Sequence, residues 1–151
     1  MTIKAAVLHG YEVPPRYEDF ELPLPSEGEL LVKVTAASIV PLDLICASGA
    51  SYFGRPDLPY IPGVQGVGIV SGPGETGRIW FQTSAGMKPG NGSMADYCLV
   101  SKDSTYPIPD DIGDDVAAAL GLSAVAAWNA LISARVSSND SVVVLGAHLD
   151  I

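Results

Sequence analysis

Positive charge is scarce in this sequence. Eight Lys and Arg residues stand against 17 Asp and Glu residues, so the formal net charge is −9 and the pI is near 4.4. The eight cations are scattered along the chain and form no basic patch. Nucleic-acid backbones and anionic membranes are bound through clustered Lys and Arg side chains. We therefore expect neither nucleic acid nor a membrane among the partners of this chain.

Cysteine, histidine and long apolar runs are scarce as well. Cys46 and Cys98 have no secretory signal before them and no metal-ligand spacing, so we expect free, partly buried thiols. His9 and His148 have no nucleophile or carboxylate partner in the sequence, which leaves Ser-His-Asp hydrolysis without support. No apolar stretch is expected to reach the roughly 18 residues of a membrane span. The predicted location is the cytoplasm.

Glycine and proline, by contrast, are abundant. The 16 glycines and 12 prolines separate short apolar runs, a pattern typical of short strands joined by turns. The chain is therefore predicted to be mainly β. Pro41 suits the first turn of a short helix that ends at Ala47. Strands are predicted over residues 3–8, 16–22, 29–37, 62–71, 78–81 and 94–100, with an extended segment over 106–110.

The pattern becomes helical after residue 113. Asp114 and Asp115 precede an Ala-rich run, where acidic side chains favour a helix N-terminus. Ser123 is expected to cap a second helix that begins at Ala124. The predicted division is a barrel domain over residues 1–113, a helical connector over 114–140 and the start of a truncated dinucleotide-binding domain over 141–151.

The last segment, Val142-Val143-Val144-Leu145, is typical of a buried strand that runs into Gly146. Gly146 would be the first glycine of a cofactor-binding turn, but no second glycine and no helix follow it, so the motif is incomplete. Such a strand alone presents apolar side chains and open backbone groups. We expect it either to pack back on the barrel or to pair with another copy in a homodimer.

Three fragments in order resemble one family. They are Ala-Ala-Ser-Ile-Val-Pro-Leu-Asp at 36–43, Pro-Gly-Val-Gln-Gly-Val-Gly-Ile-Val at 62–70 and Ala-Ala-Ala-Leu-Gly-Leu-Ser-Ala at 117–124. The chain resembles the N-terminal GroES-like domain of medium-chain dehydrogenases/reductases, in particular the zinc-independent, quinone oxidoreductase-like branch of the alcohol dehydrogenase superfamily. The resemblance implies a mainly β fold with α: a partly open β-barrel, a helical connector and the first strand of an incomplete Rossmann domain.

The resemblance also implies that both zinc sites of this superfamily are missing. Zinc enzymes carry Cys, His, Glu and Cys at the positions of Val40, Val64, Gln65 and Leu122. Valine and leucine cannot bind zinc and a glutamine amide is a poor ligand. The structural zinc lobe needs four cysteines, and the loop over residues 83–93 has none. We expect no metal.

Four residues are the candidates for the substrate or nicotinamide cleft by this resemblance. Val40 replaces an Asn that contacts the nicotinamide region in relatives, and Gln65 is expected to form a polar wall. Tyr52 either donates a phenolic hydrogen bond or is a surface tyrosine. Ser123 either lies near the nicotinamide carboxamide or caps its helix. No catalytic residue is assigned, and Asp43 is expected to order the short helix.

The expected function is that of the substrate-side domain of an NAD(P)H-dependent oxidoreductase that reduces a quinone, an enone or a related carbonyl compound. NADP(H) would belong to the complete enzyme, and no cofactor is expected to bind these residues alone. Without the phosphate-binding half the fragment is expected to be inactive. The alternative is a stand-alone GroES-like binding or assembly module without catalytic activity.

Overall fold

The fold was obtained as a computed structural model, which describes residues 1–72 and 76–145. Short strands dominate, as the glycine and proline pattern predicts. The strands are β1 (Thr2–Val7), β2 (Arg16–Glu21), β3 (Glu29–Ala36), β4 (Gln65–Val70), β5 (Arg78–Gln82), β6 (Tyr97–Ser101) and β7 (Thr105–Pro107); the helices are α1 (Pro41–Ala47) and α2 (Asp114–Ser133), with a 3-10 turn at Lys102–Ser104.

Five strands form one antiparallel sheet in the order β6-β3-β4-β5-β7, and β1 pairs with β2 in a separate hairpin. Isolated bridges from Ala5 to Ala95 and from Leu8 to Tyr60 connect the hairpin to the rest. The larger sheet is curled into a half-barrel, so the mainly β architecture expected from the sequence is confirmed.

The centre of the curled sheet is an apolar cluster. Cys98 is fully enclosed in it, and burial raises the pKa of its thiol to about 12. Gly68 of β4 lets this sheet close tightly, because a Cβ there would overlap the carbonyl oxygen of Lys33 on β3. The other members of the cluster are Val32, Val70, Ile79, Phe81 and Val100, with Leu30 and Val34 packed against them.

Three predictions of extended structure need correction. The strand predicted over 94–100 begins only at Tyr97, where the pairing with β3 starts. The predicted extended segment over 106–110 begins instead as a short strand, β7, because Thr105, Tyr106 and Pro107 pair with β5. No local pattern indicated this pairing, since the partner lies more than twenty residues away in the chain. The predicted strand over 62–71 is shorter, because residues 62–64 bond to the loop before β6 rather than to a strand.

Helix α2 is broken at Gly121, where the backbone leaves helical geometry. The helix therefore has the two parts that the sequence predicts. Ser123 lies inside the second part, so the predicted cap at Ser123 is wrong: the break falls two residues earlier. The chain divides into two compact units at the same point, Met1–Gly121 and Leu122–Ile151.

The expectation that no apolar stretch reaches membrane-spanning length is also wrong. Helix α2 is 20 residues long with a mean hydropathy of 1.7, which meets the length and composition of a membrane span. Core helices of soluble proteins meet the same criteria. Length and composition therefore do not assign α2 to either environment.

The predicted strand at 142–145 is not formed. Its four side chains are 50% to 90% exposed, and no strand is assigned to Val142, Val143, Val144 or Leu145. A strand exists only as part of a hydrogen-bonded ladder, and among the described residues no neighbouring strand supplies one. Gly146, the candidate cofactor-binding glycine, lies outside the described residues.

Candidate functional site

The first element of the site is the N-terminus of α1. Val40 is the cap residue in extended geometry, and Pro41 follows in the first turn, where its missing N–H costs nothing. The backbone N–H of Val40 donates to Oδ2 of Asp43 at 3.0 Å. The Val40 side chain is partly exposed and purely apolar. Val40 therefore offers a hydrophobic surface and no hydrogen bond.

Asp43 joins this helix to the start of β4. Its Oδ1 accepts the backbone N–H groups of Gly63 at 3.1 Å and Val64 at 2.9 Å. The carboxyl is 4% exposed, and burial raises its pKa above the ordinary value although the three N–H donors oppose the shift. A group that accepts three backbone hydrogen bonds is held in place by them, which agrees with the expected ordering role of Asp43.

Gln65 is the polar centre of the site. It is 0% exposed, and its Nε2 donates to Ser38 Oγ at 2.6 Å and to the carbonyl oxygen of Ala118 at 3.0 Å. These bonds connect β4, the segment before α1 and the first part of α2. A buried amide is tolerated because its donors are satisfied.

Gly121 and Trp80 pack directly on this amide. A Cβ on Gly121 would overlap Oε1 of Gln65 and would lie 2.6 Å from Nε1 of Trp80. Only glycine therefore fits where α2 breaks. Among residues 1–72 and 76–145, Nε1 of Trp80 is a buried atom without a hydrogen-bond partner. The Trp80 ring also lies 5.7 Å from that of Tyr106, centroid to centroid.

The predicted cleft residues are only partly brought together. Val40 and Gln65 lie at one place, connected through Ser38. Tyr52 is 78% exposed and its ring lies 4.3 Å from that of Phe53, and its place in the cleft stays a prediction. Ser123 is exposed on α2. Sequence reasoning missed Ser38 and Trp80 as members of the site, although Ser38 lies inside the motif at 36–43.

Cys46 lies on α1, three residues after Asp43, in surroundings that disfavour the thiolate. Its side chain is buried, its Sγ lies 3.8 Å from Ser51 Oγ, and burial raises the pKa of the thiol. Both cysteines are free thiols, as expected. In the described residues no group of three His, Cys, Asp or Glu side chains could hold a metal ion.

A cavity lies away from these residues. It has a volume of about 620 Å³, lies beside β6 and the loop after β5, and contains neither Val40, Tyr52 nor Gln65. Its walls include Leu22, Phe53, Met87, Lys88, Leu99 and Ser101. No sequence pattern pointed to this cavity, and size alone does not make it the site, since no buried polar group converges on it.

Residues 26–110 match the alcohol dehydrogenase GroES-like domain family, which is more than half of the chain. The chain belongs to this family. The GroES-like domain of medium-chain dehydrogenases/reductases, expected from the three sequence fragments, is thereby confirmed.

Three proteins similar to this GroES-like domain are quinone oxidoreductases. The quinone oxidoreductase of Lama guanicoe is 32% identical over 96% of this chain, and the chain spans 44% of that protein. The quinone oxidoreductase from Thermus thermophilus, solved also in complex with NADPH, is similar in structure with a TM-score of 0.74 and 30% identity, over 87% of this chain and 41% of that one. The quinone oxidoreductase from Coxiella burnetii shares the fold with a TM-score of 0.81 at 20% identity, over 93% and 47%.

Proposed function

We propose that this chain is the substrate-side domain of a zinc-independent NAD(P)H-dependent oxidoreductase that reduces a quinone, an enone or a related carbonyl compound. The observation that carries the proposal is the buried, uncharged Gln65 amide at a position where zinc enzymes of this superfamily carry an acidic residue. Since the chain spans less than half of its quinone oxidoreductase relatives, the activity belongs to a larger assembly than these residues.

The donor set does not fit zinc. Val40 and Val64 have no lone pair to offer, and Val64 is fully buried. The Gln65 nitrogen donates hydrogen bonds to Ser38 and Ala118, and the Gln65 amide oxygen, the atom through which an amide binds metals, is not among the usual zinc ligands. The chemistry therefore has to proceed without a Lewis acid at this position, with hydrogen bonds in its place.

The proposed cofactor is NADP(H). We propose that most of its contacts come from residues other than those that the structure describes. When bound, a reduced nicotinamide supplies hydride. Val40 supplies an apolar wall that excludes water, and the Ser38 hydroxyl lies two residues before it. Two of the described cations already form ion pairs, Lys4 with Asp19 and Arg78 with Asp114. Residues 1–151 alone are therefore proposed to be inactive.

The proposal is tested by comparing residues 1–151 with the product of the uninterrupted reading frame. NADPH binding is measured by cofactor fluorescence, and turnover by NADPH consumption with 9,10-phenanthrenequinone. We expect turnover from the whole product, and from residues 1–151 neither turnover nor micromolar NADPH affinity. Micromolar affinity or turnover by residues 1–151 contradicts the proposed inactivity. No turnover by the whole product contradicts the oxidoreductase assignment and favours the binding-module alternative.

Two further proposals concern the setting of the chain. The exposed apolar segment at 142–145 is proposed to mediate self-association, because such side chains gain about 25 cal/mol for each Å² removed from water. The cytoplasm is the proposed location, because both thiols are free.

A further inference from the structure

We propose that the Ser38 hydroxyl is the hydrogen-bond donor to the substrate carbonyl oxygen, and that Gln65 is a positioning residue that leaves the Ser38 proton free for this bond. The inference deepens the proposed function and rests on it. It assigns a polar role to a residue beside Val40, whose own side chain cannot form a hydrogen bond.

The first step is the orientation of the Gln65 amide. A backbone carbonyl oxygen only accepts hydrogen bonds, so the amide atom that faces Ala118 must be the nitrogen. The same nitrogen lies 2.6 Å from Ser38 Oγ. Its two hydrogens therefore point to Ala118 and to Ser38, and the amide orientation follows from its neighbours rather than from an arbitrary assignment.

The second step is the state of the Ser38 hydroxyl. An amide nitrogen cannot accept a hydrogen bond, so Ser38 accepts from Gln65 and keeps its own proton. In the described part of the chain no group accepts that proton. Ser38 is partly exposed, so the proton is available to a group outside the protein. Accepting one hydrogen bond also strengthens a hydroxyl as a donor.

The third step excludes the neighbouring donors. The Val40 N–H is bound to Asp43, and the N–H groups of Gly63 and Val64 are bound to the same carboxylate. Gln65 is 0% exposed and cannot reach a substrate itself. Nε1 of Trp80 has no hydrogen-bond partner among the described residues, but it is buried. Among these donors, the Ser38 hydroxyl is therefore the one that is both unbound and partly exposed.

Reduction of an enone at this site does not require Ser38 to give up its proton. A reduced nicotinamide, when bound, would supply hydride, a proton with two electrons, to the β-carbon of an enone, and negative charge would then develop on the enone oxygen. Ser38 stabilises that charge by a hydrogen bond and keeps its proton, while water supplies the proton that completes the saturated ketone. Donors aimed at developing oxyanions are worth about 100-fold in rate.

The test uses the complete protein encoded by the uninterrupted reading frame and compares its variants in the reduction of 2-cyclohexen-1-one. Ser38→Ala is expected to lower kcat about 100-fold with a smaller change in KM, and Ser38→Thr to retain most activity because it keeps the hydroxyl. Gln65→Glu places an acceptor beside Ser38 that captures its proton. Activity of Gln65→Glu should therefore fall at high pH and recover as the introduced carboxyl, whose pKa is raised by burial, becomes protonated.

Gln65→Met is the matched control, because it removes the amide without supplying an acceptor. Its activity should show no new pH dependence. In the Ser38→Ala background, Gln65→Glu should have little further effect on kcat, since the two residues act through one hydroxyl. A purely structural role of Gln65 would make both Gln65 variants pH-independent and additive with Ser38→Ala, which overturns the positioning role.

A second readout does not depend on turnover. The infrared carbonyl band of 9,10-phenanthrenequinone bound to the protein should lie at lower frequency in the wild type than in Ser38→Ala, because a hydrogen bond weakens the C=O bond. An unchanged band together with unchanged kcat in Ser38→Ala overturns the inference while the proposed function stands. Absence of any turnover in the wild type overturns both.

Discussion

The Gln65 carboxamide nitrogen lies 3.0 Å from the carbonyl oxygen of Ala118, within the first part of α2. This bond joins the central strand of the curled sheet to the helix just before its break. The same nitrogen also donates to the Ser38 hydroxyl, and both of these hydrogen bonds join neutral groups. The contact of Gln65 with Ser38 therefore depends on the placement of an amide.

Gly121→Ala should destabilise the protein by about 1–3 kcal/mol, a typical cost of overpacking. The added methyl group would overlap Oε1 of Gln65, which two hydrogen bonds hold in place. Thermal unfolding followed by circular dichroism measures the change. Gly72→Ala is the control, since a Cβ at Gly72 meets no atom within 4 Å. Equal stability of the two variants would show that the Gln65 side chain can move to accommodate the added methyl group without a measurable cost.

Asp43→Asn should also destabilise the protein, by about 1–3 kcal/mol. The carboxylate accepts three backbone N–H groups, and an amide NH₂ would face at least one of those donors. Chemical denaturation gives the free energy of unfolding. Asp111→Asn changes the same charge at an exposed position and should be close to neutral. A similar loss of unfolding free energy in both variants would show that the effect comes from the change in net charge and not from the three hydrogen bonds.

The acid sensitivity of the protein should depend on Asp114. The Thr35 hydroxyl and the Arg78 guanidinium hold the pKa of this carboxyl below its ordinary value in the folded state. Because the folded pKa is depressed, its contribution to stability is present above the unfolded pKa, about 3.9, and is lost as the pH falls through the folded pKa. Asp114→Asn should therefore be less stable than wild type near neutrality, with the difference vanishing in acid.

The matched control for this experiment is Asp115→Asn, which removes a carboxylate from the same helical turn without the Arg78 contact. Unfolding midpoints are measured from neutral pH to about pH 2. If the difference between wild type and Asp114→Asn did not change with pH, the ion pair with Arg78 would not contribute to stability.

Removal of residues 141–151 should reduce self-association of the chain. Val143, Val144 and Leu145 are 70% to 90% exposed, and burial against a second copy would remove this apolar surface from water. Light scattering gives the mass of the intact and shortened proteins at matched concentration. The same mass for both, with the same thermal stability, would rule out this segment as the contact.

Most of the fold could be predicted from the sequence because it depends on local patterns. The alternation of side chains at Glu29–Ala36 and the glycine-rich run at Gln65–Val70 each predict a strand, and neither prediction requires knowledge of the strand's partner. β7 could not be predicted, because Pro107 and its neighbours become a strand only through a distant partner. The segment at 142–145 shows the converse: its residues favour a strand, but the ladder partner is lacking in the described residues.

The candidate site was predictable only in part. The resemblance pointed to Val40 and Gln65, but no local pattern shows which way an amide faces or which hydroxyl it meets. Ser38 belongs to the site because Gln65 of β4 donates a hydrogen bond to it, and Trp80 belongs to it because its Nε1 lies beside Gly121, where α2 is broken. These contacts depend on tertiary packing, so they could not be predicted from local patterns in a single sequence.

We propose that Gln65 occupies, with its hydrogen bonds, a place where zinc enzymes of this superfamily hold a metal. The most direct test of this proposal is the zinc content of the purified protein, by plasma mass spectrometry after dialysis against a zinc buffer and then metal-free buffer. We predict far less than one zinc ion per chain, the same in wild type and Gln65→Met. One zinc ion per chain that survives dialysis and is lost in Gln65→Met would contradict the account.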